Sequence, residues 1–360
     1  MVLTHLQGTN LRCFSEFSLT PVSGVNLLVG ANGAGKTSIL EAIHILGYSR
    51  SFRGRIREGL IRNGAENLQI VVRWQTQPDS PQQAGLQHSG NAWMARVNGE
   101  SINNLSQFCE QFPVLSFEPG SHELISGAAE LRRRFLDWAL FHVEPQFFLQ
   151  WRRFNRALKQ RNALLKTQPS AQALEPWDIE FSEAGEEITR YRSTYLKSLQ
   201  TPLKTLMHAF LPEFTHLQMA FSAGWKDQQV NLHDALRLNR DRDIQTGFCT
   251  IGPHRADWQP SLDTVLQKEH FSRGQTKLLA LACVLAQAQH FVDQKGFWPI
   301  LCFDDLASEL DPGHFSYVLS FLSHTSAQIW ITGTQNLPEY LEAFPSMRVF
   351  HVKQGKIVEQ

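Results

Sequence analysis

Residues 30–37 read Gly30, Ala31, Asn32, Gly33, Ala34, Gly35, Lys36 and Thr37. This stretch fits G-x-x-x-x-G-K-[ST], the pattern of a phosphate-binding P-loop. The apolar run Val25–Val29 before it predicts a buried strand, and residues 38–46 after it have the apolar spacing of a helix. Strand, glycine loop and helix are the context that this motif needs. We therefore predict that residues 30–37 and Ser38 bind ATP phosphates through backbone N–H groups.

Two acidic residues far along the chain complement this loop. Lys36 is predicted to reach the β- and γ-phosphates, and the Thr37 hydroxyl is predicted to bind Mg²⁺. We expect an acidic partner on a strand beside the P-loop strand, and Asp304 and Asp305 follow the apolar run Ile300–Phe303. Asp304 is the candidate magnesium ligand and Asp305 the candidate catalytic residue that polarises water. The alternative is a carboxylate that caps the following helix.

A second candidate anion site lies at the N-terminus of the predicted apolar helix that precedes this acidic pair. Its residues are Ser272, Arg273, Gly274 and Gln275. A serine and a glycine at a helix N-terminus can bind an anion, although a plain helix cap uses the same residue types. The place of the motif ahead of Asp304 favours the anion site.

Composition sets limits on the class of protein. The chain has 360 residues, 34 basic and 34 acidic, and its length predicts about two domains. No apolar run is long enough for a transmembrane helix, and the first residues do not resemble a signal peptide. The five scattered cysteines form no CxxC pair, which favours reduced thiols over disulfides or a zinc site. We therefore expect a cytoplasmic globular protein.

The pattern along the chain predicts an α/β head that is interrupted by a helical lobe. Residues 68–74 predict a strand, and Asn98-Gly99 predicts a hairpin turn. Residues 75–90, which are rich in Gln, Pro, Ser and Gly, predict a surface loop. Apolar spacing predicts two long helices, around 147–165 and 181–195, with a break at 167–170. We place the N-terminal part of the head at 1–117, the lobe at 118–246 and the C-terminal part of the head at 247–360.

Charge is unevenly distributed in spite of the neutral total. Residues 126–166 contain nine Lys or Arg and three acids, whereas residues 299–347 contain no Lys or Arg. This asymmetry suggests a localised anion-facing surface. The candidate DNA contacts are Arg53, Arg55, Arg57, Arg152, Arg153 and Arg156. Alternatively the helical arginines, with Lys159 and Arg161, form only the solvated face of an amphipathic helix.

The order of these motifs resembles the ABC-type ATPase heads of the SMC-like DNA-repair proteins, and within them the RecF family. The quoted P-loop, the Ser272–Gln275 motif and Asp304–Asp311 carry the resemblance, together with residues 10–14, 51–53, 132–137 and 252–257. The resemblance implies an ATP-dependent homodimer in which residues 272–275 meet the partner's ATP. It places Asp311 in a D-loop at the dimer interface and Arg12 near the nucleotide.

The same resemblance implies a function on DNA. RecF-like proteins bind single-strand/double-strand junctions at gaps and act with RecR and RecO to load RecA. Most ABC ATPases have Glu where this chain has Asp305, so slow hydrolysis is expected. Residues 332–334 contain no switch histidine, and no Q-loop glutamine is identified.

Three alternatives fit the sequence less well. The ATPase subunit of a membrane transporter usually carries Glu at position 305, a switch histidine and a much shorter interval before the serine motif. A P-loop kinase of small molecules explains neither Ser272–Gln275 nor residues 308–311. A nucleotide-free SMC relative is excluded by the intact Lys36, Thr37 and Asp304.

Overall fold

The chain folds into two compact units. The structure, a computed structural model, describes residues 1–53, 59–76, 80–214, 216–262, 265–266, 271–333 and 344–359. The first unit comprises Met1–Ser121 and Phe291–Gln360, and the second unit comprises His122–His290. Both contain helices and strands, so the predicted α/β class with a helical lobe is confirmed.

The elements of the described residues have the following bounds. The strands are β1 (Val2–Leu11), β2 (Phe14–Leu19), β3 (Val25–Val29), β4 (Leu68–Gln75), β5 (Pro81–His88), β6 (Trp93–Val97), β7 (Glu100–Ile102), β8 (Val114–Phe117), β9 (Gln218–Ser222), β10 (Asp257–Leu262), β11 (Val265–Leu266), β12 (Ile300–Phe303), β13 (Ile329–Gly333), β14 (Met347–Lys353) and β15 (Lys356–Glu359). The helices are α1 (Lys36–Tyr48), α2 (Leu105–Glu110), α3 (Glu123–Ser126), α4 (Ala129–Val143), α5 (Phe147–Leu165), α6 (Ala171–Phe210), α7 (Leu232–Leu238), α8 (Arg240–Thr246), α9 (Arg273–Lys295), α10 (Leu306–Glu309) and α11 (Pro312–Ser323).

The P-loop strand lies inside a mixed sheet of the first unit, in the order β15-β14-β3-β13-β12-β8. Strand β3 pairs in parallel with β13 and β14, and β12 pairs in parallel with β13 and β8. All residues of β3, β12 and β13 are buried, as in parallel sheets covered on both faces. The expectation that the strand before Asp304 adjoins the P-loop strand is wrong, because the apolar strand β13 pairs with both and lies between them.

The other sheet of the first unit is antiparallel, in the order β2-β1-β4-β5-β6-β7. In β4, buried and more exposed residues alternate, so one face packs into the core. Asn98 and Gly99, with φ of 50° and 86°, turn β6 into β7. The predicted strand at 68–74 and the predicted hairpin are both confirmed.

The predicted surface loop over residues 75–90 is wrong. Strand β5 occupies half of that range and pairs with both β4 and β6. Ala84, Leu86 and His88 are buried and alternate with less buried neighbours. A strand needs apolar side chains on one face only, so the glutamines of the other face concealed the period-two pattern.

Two long helices dominate the second unit. Helices α5 and α6 confirm the predicted pair and its break, and the Ser170 hydroxyl caps α6 by accepting a hydrogen bond from the Ala173 amide at 3.3 Å. Strands β9, β10 and β11 form an antiparallel sheet in the same unit. This unit contains residues 122–246 of the predicted lobe and also residues 247–290. The predicted boundaries between the ATPase head and the lobe, at residues 117 and 246, stay predictions.

The placement of Arg161 on a solvated helix face is wrong. Arg161 is fully buried on the side of α5 that carries Phe154 and Ala157. Its Nε donates to Asp178 at 2.6 Å and its Nη1 donates to Asp243 at 2.6 Å. An unpaired guanidinium inside the unit would be strongly destabilising, so these two carboxylates are what permit its burial.

In the ranges that the structure describes, no helix is long and apolar enough to cross a membrane.

Candidate functional site

The P-loop connects the end of β3 to the start of α1, and two of its positions require glycine. Gly35 has a φ of 114°, and a Cβ there would lie 2.6 Å from the Phe14 ring. A Cβ on Gly30 would lie 2.2 Å from the Val352 carbonyl oxygen. These close approaches fix the path of the backbone, while the residues at the crest of the loop remain exposed: Ala31, Asn32 and Gly33. Ala34 is buried below them.

Lys36 lies over this loop at the first position of α1. Its Nζ donates to the carbonyl oxygens of Gly30 at 2.6 Å and Ala31 at 3.1 Å. The first amides of a helix have no carbonyl partner within the helix, and the helix dipole favours an anion there. The Ser38 amide donates to the Gly35 carbonyl at 3.0 Å, which closes the loop onto the helix. The loop therefore presents an ammonium group and helix amides together, an arrangement that fits phosphate.

Two hydroxyl groups, one from α1 and one from β13, meet at the carboxylate of Asp304. Thr37 Oγ1 donates to Asp304 Oδ1 at 3.0 Å although the two residues are 267 positions apart. Thr332 Oγ1 donates to the same oxygen at 2.8 Å. Hydroxyl and carboxylate oxygens are ligands that Mg²⁺ prefers, usually together with phosphate oxygens. Thr37 and Asp304 therefore fit the predicted magnesium site, and a bound ion would neutralise phosphate charge there.

Asp305 follows with a left-handed backbone, φ 55°. Its amide donates to Thr332 Oγ1 at 2.8 Å, and its Oδ1 accepts from the Ser308 hydroxyl at 2.8 Å. Its carboxylate accepts no amide of α10, which contradicts the helix-cap alternative for this residue. A strained conformation in a non-glycine residue persists only where its surroundings enforce it, and such residues cluster at functional sites.

Arg12 is fixed to the P-loop helix by Glu41. Arg12 Nε donates to Glu41 Oε2 at 2.8 Å, and Nη2 donates to Oε1 at 2.6 Å. The Ser51 hydroxyl also donates to Glu41, which is fully buried on α1. The hydrogen bond to Glu41 raises the pKa of Arg12. Arg12 is therefore a rigid cation beside α1, and its predicted role near the nucleotide stays a prediction.

The Ser272 motif forms the start of α9 in the second unit. Ser272 Oγ accepts from the Gln275 amide at 3.2 Å, and the Ser272 amide donates to Gln275 Oε1 at 2.9 Å. This reciprocal pair is a capping box. The exposed residues of the motif are Ser272, Arg273 and Gly274. Because a serine hydroxyl that accepts one bond can still donate its proton, capping and phosphate binding are compatible.

Asp311 caps α11 at the surface of the first unit. Its Oδ1 accepts from the amides of Gly313 at 3.0 Å and His314 at 3.1 Å. The His314 ring also bonds to its carboxylate, and this bond lowers the pKa of Asp311. The side chain is exposed, as a D-loop residue that meets another subunit would have to be.

The loop arginines are only partly described. Arg53 is exposed, and its amide donates to Ser51 Oγ at 2.9 Å. Arg55 and Arg57 lie outside the described residues. The Ser51 hydroxyl thus connects the described residues 51–53 to Glu41 of α1.

The arginines of α5 have different surroundings. Arg153 donates to Glu180 at 2.8 Å and to Glu183 at 3.2 Å, so its charge is compensated. Arg152 and Arg156 are exposed, and each guanidinium lies over an aromatic ring. Among the described residues, Arg152 and Arg156 form no ion pair, although the Glu180 carboxylate that pairs with Arg153 also interacts with the charge of Arg156. Their contact with DNA stays a prediction.

Sequence reasoning missed two residues of the site, Thr332 and Glu41. Thr332 lies at the carboxyl end of β13, where side chains of parallel strands converge. Glu41 is a charged residue within the apolar spacing of residues 38–46. In each case the available signal was a polar residue within or directly after a run of apolar residues.

Comparison with known proteins gives consistent results along the whole chain. Residues 2–357 match the family described as RecF/RecN/SMC N terminal domain. The DNA replication and repair protein RecF of Xanthomonas axonopodis pv. citri (strain 306) is 48% identical, and the alignment covers 100% of this chain and 99% of the relative. The RecF protein of Thioalkalivibrio sulfidiphilus (strain HL-EbGR7) is 35% identical, with 99% of each chain covered.

Solved structures agree with these relatives. A structure of the recombination mediator protein RecF with ATP, of the RecFOR pathway, matches with a TM-score of 0.87 and 25% identity over 99% of this chain and 97% of that chain. An Smc head domain derived from Pyrococcus furiosus matches with a TM-score of 0.58 and 14% identity over 99% of this chain and 96% of that chain, which is a similarity of fold alone.

Proposed function

This chain belongs to the RecF family within the RecF/RecN/SMC group, and we propose that it is an ATP-dependent DNA-binding protein of recombinational repair and replication restart. ATP binding closes a homodimer on DNA at junctions of single-stranded and double-stranded DNA in gaps. Slow hydrolysis then releases the dimer. RecR and RecO are the proposed partners in loading RecA, and the cytoplasm is the proposed compartment. The names of the relatives support the repair function and the RecFOR assignment.

The observation that carries the proposal is the meeting of Thr37 and Asp304 at 3.0 Å. It joins the P-loop to the acidic strand end in the way that a P-loop ATPase with Mg²⁺ requires. Asp305, next to this pair, is the proposed catalytic residue that polarises the attacking water. Because Asp is one methylene shorter than Glu, it holds the attacking water less closely, and we expect hydrolysis to be slow. The resemblance to RecF-like proteins is what suggests that DNA stimulates this hydrolysis and that its role is regulatory.

Exposure supports a trans role for Ser272 and Asp311. Both cap helices, and both remain accessible to a second subunit. In the proposed dimer, residues 272–275 of one subunit face the P-loop of the other, so two composite sites form. The neutral net charge of the chain is consistent with DNA binding that needs two subunits to assemble one basic channel.

The mass of the protein in solution tests this proposal. We would measure it with ATP, with ADP and without nucleotide, each with and without a gapped duplex. The expected result is a dimer with ATP, retained on the gapped duplex, and a monomer in the other nucleotide states. A monomer in ATP both with and without DNA contradicts the clamp, as does DNA binding that is equal in all nucleotide states.

A further inference from the structure

The outer face of α5 combines cations with aromatic rings. Its residues share one side of the helix at spacings of three and four: Phe148, Trp151, Arg152, Asn155, Arg156 and Lys159. We call this set the α5 face. The helix contains no Asp or Glu over its length, so all of its charges are positive.

The structure separates the cations of α5 into two groups. Arg153 binds Glu180 and Glu183, and Arg161 binds two buried aspartates. Arg152, Arg156 and Lys159 are exposed, and none of them forms an ion pair within the described parts of the chain. The α5 face is therefore a strip of three cations without ion pairs, and the carboxylate of Glu180, which pairs with Arg153, compensates the charge of Arg156 in part.

Aromatic rings accompany these cations. The rings of Phe148 and Trp151 are 6.2 Å apart with planes within 13° of parallel. The Arg152 guanidinium lies 5.9 Å above the Phe148 ring, and the Arg156 guanidinium lies 5.9 Å above the Trp177 ring. Trp151 is 37% exposed, a large accessible fraction for an indole. A flat aromatic surface is thus open to solvent between positive charges.

We propose that the α5 face binds a single strand of DNA. Trp151 stacks on an unpaired base, while Arg152, Arg156 and Lys159 contact phosphates. Single-strand binding sites combine aromatic platforms with basic side chains that follow the phosphates. Protein interfaces are also enriched in aromatic residues and Arg, so the row of cations on a helix without any acid is what favours a polyanion here. This inference rests on the proposed DNA function. It means that the second unit binds the single-stranded DNA of a gap.

Substitutions of Trp151 and of the arginines test the two contributions separately. We would measure the binding of the full chain to fluorescein-labelled oligo(dT) over a range of salt concentrations. Trp151→Leu should weaken binding by about five- to 150-fold, since stacking on an aromatic side chain contributes roughly 1–3 kcal/mol per base. Trp151→Phe keeps a ring and should retain most of the affinity. Arg152→Gln with Arg156→Gln should lower the salt slope by about 1.4, roughly 0.7 for each lost phosphate contact.

Arg190→Gln is the matched control. Arg190 also lies over a ring, 4.5 Å from the Tyr191 centroid, but it is paired with Glu187. Its replacement should leave oligo(dT) binding unchanged, and all variants should unfold at the wild-type temperature.

The outcomes distinguish this inference from the proposed function. If the wild-type protein binds a gapped duplex with ATP but Trp151→Leu binds oligo(dT) normally, only the inference fails. If the wild-type protein binds no DNA in any nucleotide state, the proposed function itself fails. In a competition experiment, polyglutamate would be added at the same concentration of negative charge as the oligo(dT). If it displaces the oligo(dT), the α5 face is a site for acidic proteins and the inference is overturned.

Discussion

The Thr332 hydroxyl donates a 2.8 Å hydrogen bond to Oδ1 of Asp304. The same oxygen of Thr332 accepts the Asp305 amide at 2.8 Å. One side chain at the end of β13 therefore positions the carboxylate of one acidic residue and the backbone of the next. Because β13 lies between β3 and β12, it also determines how far Asp304 stands from the P-loop helix.

Thr332→Val removes this hydroxyl at nearly constant volume. We expect ATP hydrolysis to fall at least tenfold, because Asp304 and Asp305 lose their common partner. The free energy of unfolding should fall by about 1–3 kcal/mol, since a buried amide and a carboxylate each lose a hydrogen bond. Steady-state ATPase assays and urea unfolding measure the two effects. Thr332→Ser restores the hydroxyl and is the control, so equal hydrolysis rates in both variants would contradict the positioning role.

Lys36→Ala should abolish ATP binding, because the ammonium group over the P-loop is removed. ATP-dependent dimerisation and retention on DNA should be lost with it. Equilibrium binding of a fluorescent ATP analogue measures the effect, and Lys36→Arg tests whether charge without the compact ammonium suffices. Wild-type affinity in the alanine variant would contradict the P-loop assignment.

Asp305→Asn should preserve ATP binding and slow hydrolysis by about 10²–10⁴-fold, the usual contribution of a general base. Asp304 still fits the magnesium ion, and Asn can still accept the hydrogen bond from Ser308. The variant should therefore remain dimeric on gapped DNA longer than the wild-type protein, as followed by DNA release after a chase with unlabelled DNA. Unchanged turnover would show that another group polarises the water.

Local patterns allowed much of the fold to be predicted from the sequence. The P-loop strand and helix, the Asn98-Gly99 hairpin and the helix pair around the 167–170 break depend on residues that are close in sequence. The α/β class followed from the same patterns. Of the predicted site, the structure brings Thr37 and Asp304 together, whereas the trans role of residues 272–275 stays a prediction.

Contacts between distant residues could be predicted only where a known motif pairs them, as it does for Thr37 and Asp304. Strand order depends on which strands pair, so the insertion of β13 between β3 and β12 has no signature in either strand. Arg161 is buried because Asp178 and Asp243 of other helices reach it, and nothing in the sequence of α5 indicates those partners. Thr332 belongs to this group as well, since its role depends on the position of Asp304.

His44 should make the stability of the protein depend on pH. Burial, with a smaller effect of Arg50, lowers the pKa of His44 on α1 to about 3. Below about pH 6.5 the unfolded chain therefore binds a proton that the folded protein excludes. Stability falls as pH decreases from 6.5 towards 3, by up to about 1.4 kcal/mol per pH unit from this residue.

His44→Asn should flatten this decline, measured as the free energy of unfolding in urea from pH 7.5 to 4.5. The variant should be less stable than the wild-type protein at pH 7.5, because it loses the stacking of the His44 ring on the Tyr48 ring, whose centroids are 4.0 Å apart. The exposed His324, replaced by Asn, is the control. A pH dependence that is identical in His44→Asn and the wild-type protein would contradict this assignment.

Ser272→Asp separates the two roles of Ser272, which are to cap α9 and to contact the ATP of the partner subunit. Asp is as good an N-cap as Ser, so α9 should keep its start and the bond from the Gln275 amide. A carboxylate next to the partner's γ-phosphate would, however, repel it. We expect ATP binding by the monomer to be unchanged, while ATP-dependent dimerisation and hydrolysis are lost. Ser272→Asn, which caps without a charge, should retain more of both.

Mixing variants then tests whether the site is shared between subunits. In a head-to-tail dimer of one Ser272→Asp and one Lys36→Ala subunit, one composite site carries both substitutions and the other carries neither. Mixed protein should therefore recover activity, up to about half of the wild-type rate per mixed dimer when the sites act independently. Dimerisation of Ser272→Asp with ATP at the wild-type level would show that Ser272 acts only as a helix cap, and the shared site would then have to be abandoned.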